Sequence, residues 1–310
     1  MKIAFVFPGQ GSQSVGMLDR FADQPAVRDV LASAGAALGE DLGALIAGGP
    51  AEQLNLTVNT QPAMLAAGVA IYRAWLAAGG VTPAVMAGHS LGEYTALTAA
   101  QAVPLEAALK LVRFRAQAMQ EAVPAGSGGM AAILGLSDEQ VAQACAEAAQ
   151  GEVVEAVNFN APSQVVIAGH AAAVGRACEA AKRRGAKRAL PLPVSAPFHC
   201  SLLAPAAQRL RERLRGEPIG SPQVAVINNI DVATESEPDR IRDALARQAA
   251  GPVRWAEIIR RMAAEGVTHV VEGGPGRVLA GLTRRIAPDL ESLALTDPAT
   301  IDEALARLRG

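Results

Sequence analysis

The sequence predicts an α/β protein made of a larger part with a parallel sheet and a smaller part inserted into it. Short β-prone runs alternate with longer helical stretches through most of the 310 residues, a pattern typical of parallel sheets covered by helices. A glycine-rich break at 125–129 (A-G-S-G-G) begins a different rhythm that continues to Pro191. The chain is also long enough for two units, since about 150 residues is an ordinary domain size.

The larger part contains five predicted strands and at least five predicted helices. The first strand, K-I-A-F-V-F, stops at Pro8-Gly9. The strands are predicted at 2–7, 84–87, 224–227, 268–271 and 292–295, and helices at 62–77, 104–123, 202–215, 238–250 and 253–265. Several of these helices begin at proline, which suits the first helical position because its missing N–H has no partner there.

The inserted part has its own order of elements. They are predicted as a strand at 130–134, a helix at 137–150, strands at 153–158 and 164–168, a helix at 171–184 and a strand at 187–191. This β-α-β-β-α-β order is the ferredoxin-like pattern. We therefore expect a large catalytic subdomain formed by 1–124 and 196–310, and a small ferredoxin-like subdomain formed by 125–195.

Charge and aromatic content argue against nucleic acid as a partner. The 28 basic and 30 acidic side chains leave a net charge of −2, so no positive field attracts a phosphate polymer. The 10 aromatic residues (6 Phe, 2 Trp, 2 Tyr) are too few for a platform on which bases stack.

The cysteines and the amino terminus favour a cytoplasmic location. Cys145, Cys178 and Cys200 lack the spacing of a disulfide framework or a zinc site, so we expect a reducing compartment and no metal. Only five apolar residues, Ile3 to Phe7, lie between Lys2 and the first proline, too few for a signal-peptide core. The best membrane candidate, 63–81, carries Arg73 near its middle, where a charge is costly, and is predicted to be a buried helix.

The strongest local indication of chemistry is G-H-S-L-G at 88–92. An apolar run precedes it and the helix-compatible E-Y-T-A-L follows, which predicts a strand-to-helix elbow that exposes the Ser90 hydroxyl. The helix start would offer its positive end and the Leu91 N–H to an oxyanion. Ser90 could instead cap the helix with Glu93 as its capping-box partner, and the motif alone leaves both interpretations open.

A serine nucleophile needs a base, and the chain has four histidines. His89 adjoins the serine, and its side chain is expected to project away, whereas His170 opens a predicted helix and is expected at a surface or cap position. His199 follows a proline-stiffened approach to the next helix, which suits the presentation of an imidazole. His269 could be an ordinary strand histidine or the late histidine of a hydrolase triad, and spacing alone does not choose between these two.

Arg115 lies on the apolar side of a predicted helix. The stripe consists of apolar residues at 105, 108, 109, 112, 116, 119 and 123. Because an unpaired buried charge is costly, Arg115 is expected to bind either an internal carboxylate or the carboxylate of a ligand. Arg113, on the polar face, is expected to be solvated.

Two glycine-rich loops follow predicted strands. F-P-G-Q-G-S-Q at 7–13 is not a dinucleotide or phosphate loop, because Ser14 replaces the third glycine and the P-loop lysine is absent. Its exposed backbone N–H groups suit half of an oxyanion hole. G-G-P-G at 273–276 is interpreted as structural.

A basic run near the end of the inserted part has two interpretations. Five cations lie within seven residues, namely Lys182, Arg183, Arg184, Lys187 and Arg188. Cations at a helix end complement the helix dipole, with Gly185 as the C-cap. The alternative is a docking patch for an acidic partner.

Six motifs, in this order, carry a resemblance to a known family. They are F-P-G-Q-G-S-Q at 7–13, N-T-Q-P-A at 59–63, G-H-S-L-G-E at 88–93, F-N-A-P-S-Q-V-V-I-A-G at 159–169, P-F-H-C at 197–200 and E-G-G-P-G at 272–276. Over nearly its whole length the chain resembles the malonyl-CoA:acyl-carrier-protein transacylases of bacterial fatty-acid synthesis. The resemblance implies an α/β-hydrolase-like core with a ferredoxin-like insertion.

Carried over residue by residue, the resemblance implies a role for each position that matches a motif. Ser90 would be the nucleophile and His199 its base, with the Gln248 backbone carbonyl orienting the imidazole. The backbone N–H groups of Gln10 and Leu91 would form the oxyanion hole.

The resemblance also implies how the acyl group is selected. Arg115 would bind the free malonyl carboxylate, with Gln61 and Asn160 as supporting residues of the pocket. Phe198 matches bulky residues with which related acyltransferase domains exclude a 2-methyl branch. The basic run would help to receive an acidic carrier protein.

The implied reaction is a ping-pong transfer of malonyl from malonyl-CoA to Ser90 and then to the phosphopantetheine thiol of acyl carrier protein, supplying fatty-acid elongation. CoA and phosphopantetheine enter with the substrates, so no metal or resident cofactor is expected. The protein is expected to be a monomer. Three alternatives remain: malonyl transfer in a malonate decarboxylase or polyketide system, an esterase using Ser90, Asp231 and His269, and a non-catalytic subunit that binds the carrier.

Overall fold

The computed structural model describes residues 1–309 and has a mixed α/β architecture. The helices and strands, in chain order, are β1 (Ile3–Phe7), α1 (Pro25–Leu38), α2 (Leu42–Gly48), α3 (Ala51–Leu54), α4 (Thr57–Ala77), β2 (Val85–Gly88), α5 (Leu91–Ala99), α6 (Leu105–Glu121), β3 (Gly128–Leu134), α7 (Asp138–Ala149), β4 (Val154–Ala161), β5 (Gln164–His170), α8 (Ala171–Arg183), β6 (Arg188–Pro191), α9 (Ala204–Leu214), β7 (Ala225–Ile227), α10 (Pro238–Gln248), α11 (Trp255–Ala264), β8 (His269–Gly273), α12 (Val278–Ile286), β9 (Glu291–Leu295) and α13 (Pro298–Arg309). Short 3-10 helices lie at Asp19–Phe21 and Ser201–Leu203.

The larger sheet is parallel, as predicted, with the strand order β7-β2-β1-β8-β9. Side chains alternate along β1, because successive residues of a strand point to opposite faces. Phe5 and Phe7 pack on the side of α4, α5 and α6, while Ala4 and Val6 pack on the side of α11 and α12. The sheet is therefore covered on both faces, as expected for parallel strands.

The smaller sheet is antiparallel, with the strand order β4-β5-β3-β6. Its elements follow the chain order β3-α7-β4-β5-α8-β6. One face, with Ile133 and Ile167, packs against α7 and α8 in a hydrophobic cluster of its own. The other face contributes Met130 and Val166 to the main core, so the small sheet lies directly against the rest of the molecule.

The predicted helix 62–77 begins five residues earlier than expected, at Thr57. Proline favours the first helical position, but Pro62 lies inside α4. The helix forms nevertheless because nearly all of its residues from Thr57 to Trp75 are buried, and tertiary packing outweighs the lost backbone hydrogen bond. The segment 63–81 thus lies largely in a buried helix, as predicted. Between residues 1 and 309, no helix is long and apolar enough to cross a membrane.

The two sheets meet at the carboxyl ends of β1 and β2. Val253 forms a bridge to Asn158 of β4, and the Phe159 N–H donates to the Val253 carbonyl over 2.9 Å. The segment that leads from β6 to α9 then passes between the two sheets, where Pro197 contacts Gly128. This junction is where polar residues from distant parts of the chain come together.

Candidate active site

Ser90 lies at a strained turn between β2 and α5. Its backbone has φ 53 and ψ −109, a conformation that L-residues rarely adopt. Flanking glycines permit the turn: a Cβ on Gly88 would lie 1.8 Å from the Gly92 carbonyl carbon, and one on Gly92 would lie 2.1 Å from the Phe7 carbonyl oxygen. The predicted elbow is therefore present. The alternative of a helix cap is wrong, because the Ser90 side chain makes no capping hydrogen bond.

His199 contacts the Ser90 hydroxyl. Nε2 lies 2.7 Å from the Ser90 Oγ, and Nδ1 lies 2.9 Å from the Gln248 carbonyl oxygen. Because a carbonyl can only accept, Nδ1 carries the proton and Nε2 is left as the acceptor for the serine O–H. His199 also has a left-handed backbone, with φ 71, so both members of the pair are held in uncommon conformations.

The His199 imidazole is kept neutral by its surroundings. Burial, and next the positive charge of Arg115, lower its pKa from 6.5 to about 3. The Gln248 carbonyl acts in the opposite direction but does not compensate for burial. The ring is thus unprotonated at neutral pH, which is the state that can accept a proton.

The alternative triad of Ser90, Asp231 and His269 is not assembled. His269 pairs with Ile3 at the amino ends of parallel strands, whereas Ser90 follows the carboxyl end of β2, so the two lie at opposite edges of the sheet. The His269 ring contacts Glu291 at 3.2 Å, and Asp231 is ion-paired with Arg247.

The other two histidines have structural contacts. His170 accepts the Val153 N–H at Nδ1 over 2.9 Å. His89 is one of the residues that line the cavity beside Ser90. Its ring contacts Asn160, whose Oδ1 lies 2.8 Å from Nε2, and its centroid lies 5.7 Å from that of the Trp255 ring.

Arg115 points inward, as predicted, and only 2% of it is exposed. Nη1 donates to the Gln61 Oε1 over 2.8 Å, and Nη2 donates to the Gln248 Oε1 over 3.0 Å and to the Ser90 Oγ over 3.1 Å. These acceptors are neutral. Among the described residues Arg115 forms no salt bridge, so the expected internal carboxylate is not in contact with it, and its Nε has no hydrogen-bond partner.

The Arg113 side chain forms an ion pair, although it was expected to be solvated. The helix α6 lies close enough to the α1–α2 connection for Arg113 to form an ion pair with Glu40. The pair is partly buried, and it holds the polar face of α6 against its neighbour.

Two buried side chains near Ser90, those of Asn229 and Glu93, form contacts that the sequence motifs do not indicate. The Asn229 Oδ1 accepts the Ser90 N–H over 2.7 Å, and its Nδ2 donates to the Gly88 carbonyl over 2.7 Å. The Glu93 Oε2 accepts from the Asn229 N–H over 2.8 Å and from the Gln248 Nε2 over 2.9 Å. Asn229 follows β7 at the same edge of the sheet as Ser90. A polar residue just after the carboxyl end of a parallel strand is a candidate for the site, and this position indicates Asn229.

The Glu93 carboxyl is an unusual group for this location. It is 2% exposed, and burial raises its pKa to about 7, against the lowering effects of Gln248, Asn229 and Arg115. The local sequence indicates only a capping role for Glu93, as a partner of Ser90. Its actual contacts come from residues more than 130 positions away, which no local pattern indicates.

The loop after β1 lies against the start of α5. A Cβ on Gly9 would lie 2.6 Å from the His89 carbonyl oxygen, so this loop approaches the elbow at backbone distance. Gln10 and Leu91 both line the cavity beside Ser90. In the part of the chain that the structure covers, the backbone N–H groups of Gln10 and Leu91 have no hydrogen-bond acceptor.

A cavity of about 130 Å³ opens over the Ser90 hydroxyl. Its lining residues are Gln10, Gln61, His89, Ser90, Leu91, Arg115, Met119, Met130, Asn158, Leu192, Val194, Phe198 and His199. Gln61 and Phe198 thus lie where they were expected. Asn160 does not line the cavity, since it points to His89, and Asn158 of the same strand takes that place.

The basic run lies at the end of the small sheet away from this cavity. Lys182 is ion-paired with Glu179, and Arg183 and Arg184 with Glu147. Lys187 and Arg188 form no ion pair among residues 1–309. In the same range, no group of three or more His, Cys, Asp or Glu side chains could hold a metal ion.

Comparison with known proteins agrees with this geometry. Residues 4–286 match the family model of the acyl transferase domain. The chain is 56% identical to the malonyl CoA-acyl carrier protein transacylase of Escherichia coli K12. The match covers 98% of this chain and 99% of that protein. The crystal structure of an acyl-carrier-protein S-malonyltransferase from Burkholderia pseudomallei is 65% identical, with a TM-score of 0.97 over 99% of this chain and 100% of that one. A malonyl-transacylase solved in complex with its type II PKS acyl-carrier protein is 51% identical, with a TM-score of 0.98 over 99% of this chain and 100% of that one.

Proposed function

The chain belongs to the malonyl CoA-acyl carrier protein transacylases of the acyl transferase family, and from this premise we propose that it moves malonyl from malonyl-CoA to acyl carrier protein through an ester of Ser90. The observation that carries the proposal is the position of the Ser90 hydroxyl, 2.7 Å from a neutral imidazole and 3.1 Å from a buried guanidinium. The first group supplies a base, and the second selects an acyl group with a negative end.

In the first half-reaction, the Ser90 Oγ attacks the thioester carbonyl carbon of malonyl-CoA. The serine proton passes to the His199 Nε2, and the carbonyl electron pair moves onto the oxygen. The N–H groups of Gln10 and Leu91 would donate to this oxyanion, with support from the positive end of α5. When the C–S bond breaks, the proton on Nε2 goes to the departing CoA thiolate, which leaves malonyl-Ser90.

In the second half-reaction, the phosphopantetheine thiol of the carrier protein takes the place of CoA. His199 removes the thiol proton, the sulfur attacks the ester carbonyl, and the proton returns to the Ser90 oxygen as the C–O bond breaks. Both halves use the same base and the same oxyanion donors, so neither requires a resident cofactor.

Arg115 accounts for the preference for malonyl. Only one CH₂ group separates the malonyl carboxylate from the reacting carbonyl, and the guanidinium already contacts the Ser90 oxygen. Two charge-assisted hydrogen bonds would contribute roughly 3 to 6 kcal/mol before desolvation. An acetyl group leaves the buried cation unpaired, and a mismatch of this kind can cost about 10⁴-fold in specificity. Gln61 orients the guanidinium, and Asn160 acts on the pocket through His89.

The test of this function is the mass of the intact protein after mixing with malonyl-CoA. We expect an increase equal to one malonyl group, absent in Ser90→Ala and removed when acyl carrier protein that bears phosphopantetheine is added. A protein that remains unacylated would overturn the proposal and favour a non-catalytic binding role.

The carrier decides between fatty-acid synthesis and the polyketide alternative. The relative in complex with a type II PKS carrier protein gives the second possibility a specific basis. We propose a carrier of fatty-acid synthesis, and transfer rates to the two types of carrier, measured side by side, would decide.

The domain organisation proposed here is an α/β-hydrolase-like core, formed by 1–124 and 196–310, with a ferredoxin-like subdomain at 125–195. The parallel sheet with a serine elbow supports the first assignment. The strand order β4-β5-β3-β6 and a separate hydrophobic cluster support the second. Three buried cysteines without disulfides agree with a cytoplasmic location.

We also propose that the basic run takes part in docking of the carrier protein, mainly through Lys187 and Arg188. Their charges are free of ion pairs among the described residues, unlike those of Lys182, Arg183 and Arg184. Replacing Lys187 and Arg188 by glutamate should raise the KM for the carrier at low salt and leave acylation by malonyl-CoA unchanged. An unchanged KM would remove the docking role.

A further inference from the structure

A buried carboxylate is connected to Arg115 through a single amide group. The Arg115 Nη2 donates to the Gln248 Oε1 over 3.0 Å, and the Gln248 Nε2 donates to the Glu93 Oε2 over 2.9 Å. None of Gln248 and only 2% of Glu93 and of Arg115 is exposed. A cation and a carboxyl group, both almost completely buried, thus face each other across an amide.

The two groups influence each other electrostatically. Burial lowers the pKa of Arg115, while Tyr94 and then the charge of Glu93 raise it. Burial raises the pKa of Glu93, while hydrogen bonds from Gln248 and Asn229 and then the charge of Arg115 lower it. No carboxylate contacts Arg115 directly in the described part of the chain. When Glu93 is ionised, the empty site therefore holds one positive and one negative charge.

We propose that Glu93 is the counter-charge of Arg115 and limits how tightly the site holds a malonyl group, so that the malonyl ester remains transferable. The inference rests on the proposed role of Arg115. A malonyl carboxylate at Arg115 shares this cation with Glu93, and the two anions repel each other. With Glu93 neutral, the positive charge of Arg115 is balanced by the single negative charge of malonyl. The acyl enzyme is then favoured. At an effective dielectric constant near 20, one charge roughly 10 Å away changes an equilibrium by about tenfold.

Glu93 also determines how the side-chain amide of Gln248 is oriented toward Arg115. An ionised carboxylate can only accept hydrogen bonds, so the Nε2 of Gln248 faces Glu93 and its Oε1 faces Arg115. Glu93 is in this sense a positioning residue that acts on the substrate through Gln248. In Glu93→Gln, an oxygen can keep accepting from Gln248 and Asn229, so the replacement removes the charge with little change in shape.

The experiment measures the acylation equilibrium at pH 8.5, where Glu93, with a pKa of about 7, is ionised. The enzyme is mixed with fixed ratios of malonyl-CoA to CoA, or of acetyl-CoA to CoA, and the acylated fraction is read by intact mass. We expect Glu93→Gln to raise the malonyl equilibrium constant about tenfold and to leave the acetyl constant unchanged. A purely structural role would weaken both acyl enzymes alike, and that result, or an unchanged malonyl constant, overturns the inference.

A matched control is Glu272→Gln. Glu272 is also fully buried, with a pKa raised by burial to about 7, but it accepts from the N–H groups of Leu279 and Ala280 at the start of α12. Its replacement should leave the ratio of malonyl to acetyl constants unchanged. A rise equal to that of Glu93→Gln would show a general effect of buried charge and overturn the specific role of Glu93.

The wild-type protein provides a second measurement if the variant does not fold. Protonation of Glu93 at pH 6 should raise the ratio of malonyl to acetyl constants several-fold relative to pH 8.5, and Glu272→Gln should retain this rise. A ratio independent of pH would then contradict the inference.

Of the other groups around Glu93, His199 and Tyr94 have pKa values far outside the range from pH 6 to pH 8.5. His199 has a pKa of about 3 and Tyr94 of about 12, the pKa of His89 is lowered by burial, and Arg115 stays protonated. Asp231 and Glu235 are ion-paired with Arg247 and Arg240.

Arg115→Ala separates failure of this inference from failure of the proposed function. If it leaves the ratio of malonyl to acetyl constants at the wild-type value, Arg115 does not bind the carboxylate and the proposed selectivity fails. If it lowers the ratio while Glu93→Gln has no effect, only the role of Glu93 fails.

Discussion

The Nδ1 atom of His199 lies 2.9 Å from the backbone carbonyl oxygen of Gln248, so a neutral peptide group orients the imidazole. A carbonyl fixes the same tautomer as a carboxylate would, because it also accepts from Nδ1–H. It adds no negative charge beside the malonyl carboxylate. The arrangement therefore suits an acyl group that is itself an anion.

Replacing the base should slow acylation by every thioester. We expect His199→Ala to slow the formation of acyl-Ser90 by about 10²- to 10⁴-fold with both malonyl-CoA and acetyl-CoA. Single-turnover acylation followed by intact mass measures this rate. His269→Ala is the control and should retain the wild-type rate, since His269 lies at the opposite edge of the sheet. The reverse pattern would restore the esterase hypothesis.

Removing the guanidinium should change selectivity. Arg115→Ala is expected to lower kcat/KM for malonyl-CoA by about 10³- to 10⁴-fold and to have a much smaller effect on acetyl-CoA. Arg113→Ala, two positions away on α6 and ion-paired with Glu40, is the matched control and should leave the ratio unchanged. Equal losses for both substrates after Arg115→Ala would contradict the assigned role.

The low pKa of His199 predicts an unusual dependence on pH. With acetyl-CoA, which has no carboxylate to respond to Glu93, the acylation rate should stay constant from pH 8 to pH 5, because the imidazole is already neutral. Stopped-flow or quenched-flow kinetics would measure it. A fall with a midpoint near 6.5 would show that the ring has its ordinary pKa.

The same shift links pH to stability. The unfolded chain takes up a proton on His199 below pH 6.5, whereas the folded chain does so only near pH 3, so this residue makes the protein less stable as the pH falls between these values. Urea denaturation at pH 7.5 and pH 5 should therefore show a smaller difference in His199→Gln than in the wild type. An equal difference would argue against the shifted pKa.

The close approach at the elbow predicts opposite effects for two helical glycines. In Gly92→Ala the new methyl group would lie 2.1 Å from the Phe7 carbonyl oxygen, so we expect a loss of about 1–3 kcal/mol in stability and a displaced Ser90 with little activity. Gly281→Ala meets no atom within 4 Å and should stabilise α12 by about 0.5–1 kcal/mol. Thermal denaturation and acylation assays would show whether the two glycines differ in this way.

Phe198 is expected to limit the size of the acyl group. It lines the cavity next to the base, so Phe198→Ala should increase acylation by methylmalonyl-CoA relative to malonyl-CoA. Competition between the two thioesters, analysed by mass, measures the ratio. If the ratio does not change, another wall of the cavity excludes the branch.

The sequence alone was sufficient for features that depend on local pattern. Alternation of strands and helices predicted the parallel sheet, and the spacing of G-H-S-L-G predicted the elbow at Ser90. The apolar stripe on α6 placed Arg115 inward, because helical periodicity decides which side chains face a core. The start of α4 was missed, since burial of the whole helix overrides the local preference of Pro62.

Tertiary structure decided which polar groups meet. The strand pairing places His269 at the edge of the sheet opposite Ser90, and the path of the segment after β6 brings the His199 Nε2 to 2.7 Å from the Ser90 Oγ. The contacts of Glu93 and Gln248 join residues 155 positions apart, and the ion pair of Arg113 joins residues 73 apart. A chain's local pattern records periodicity and turn chemistry. The positions of charges relative to one another depend on how distant elements pack, and these positions set the charge balance and the pKa values on which acyl transfer depends.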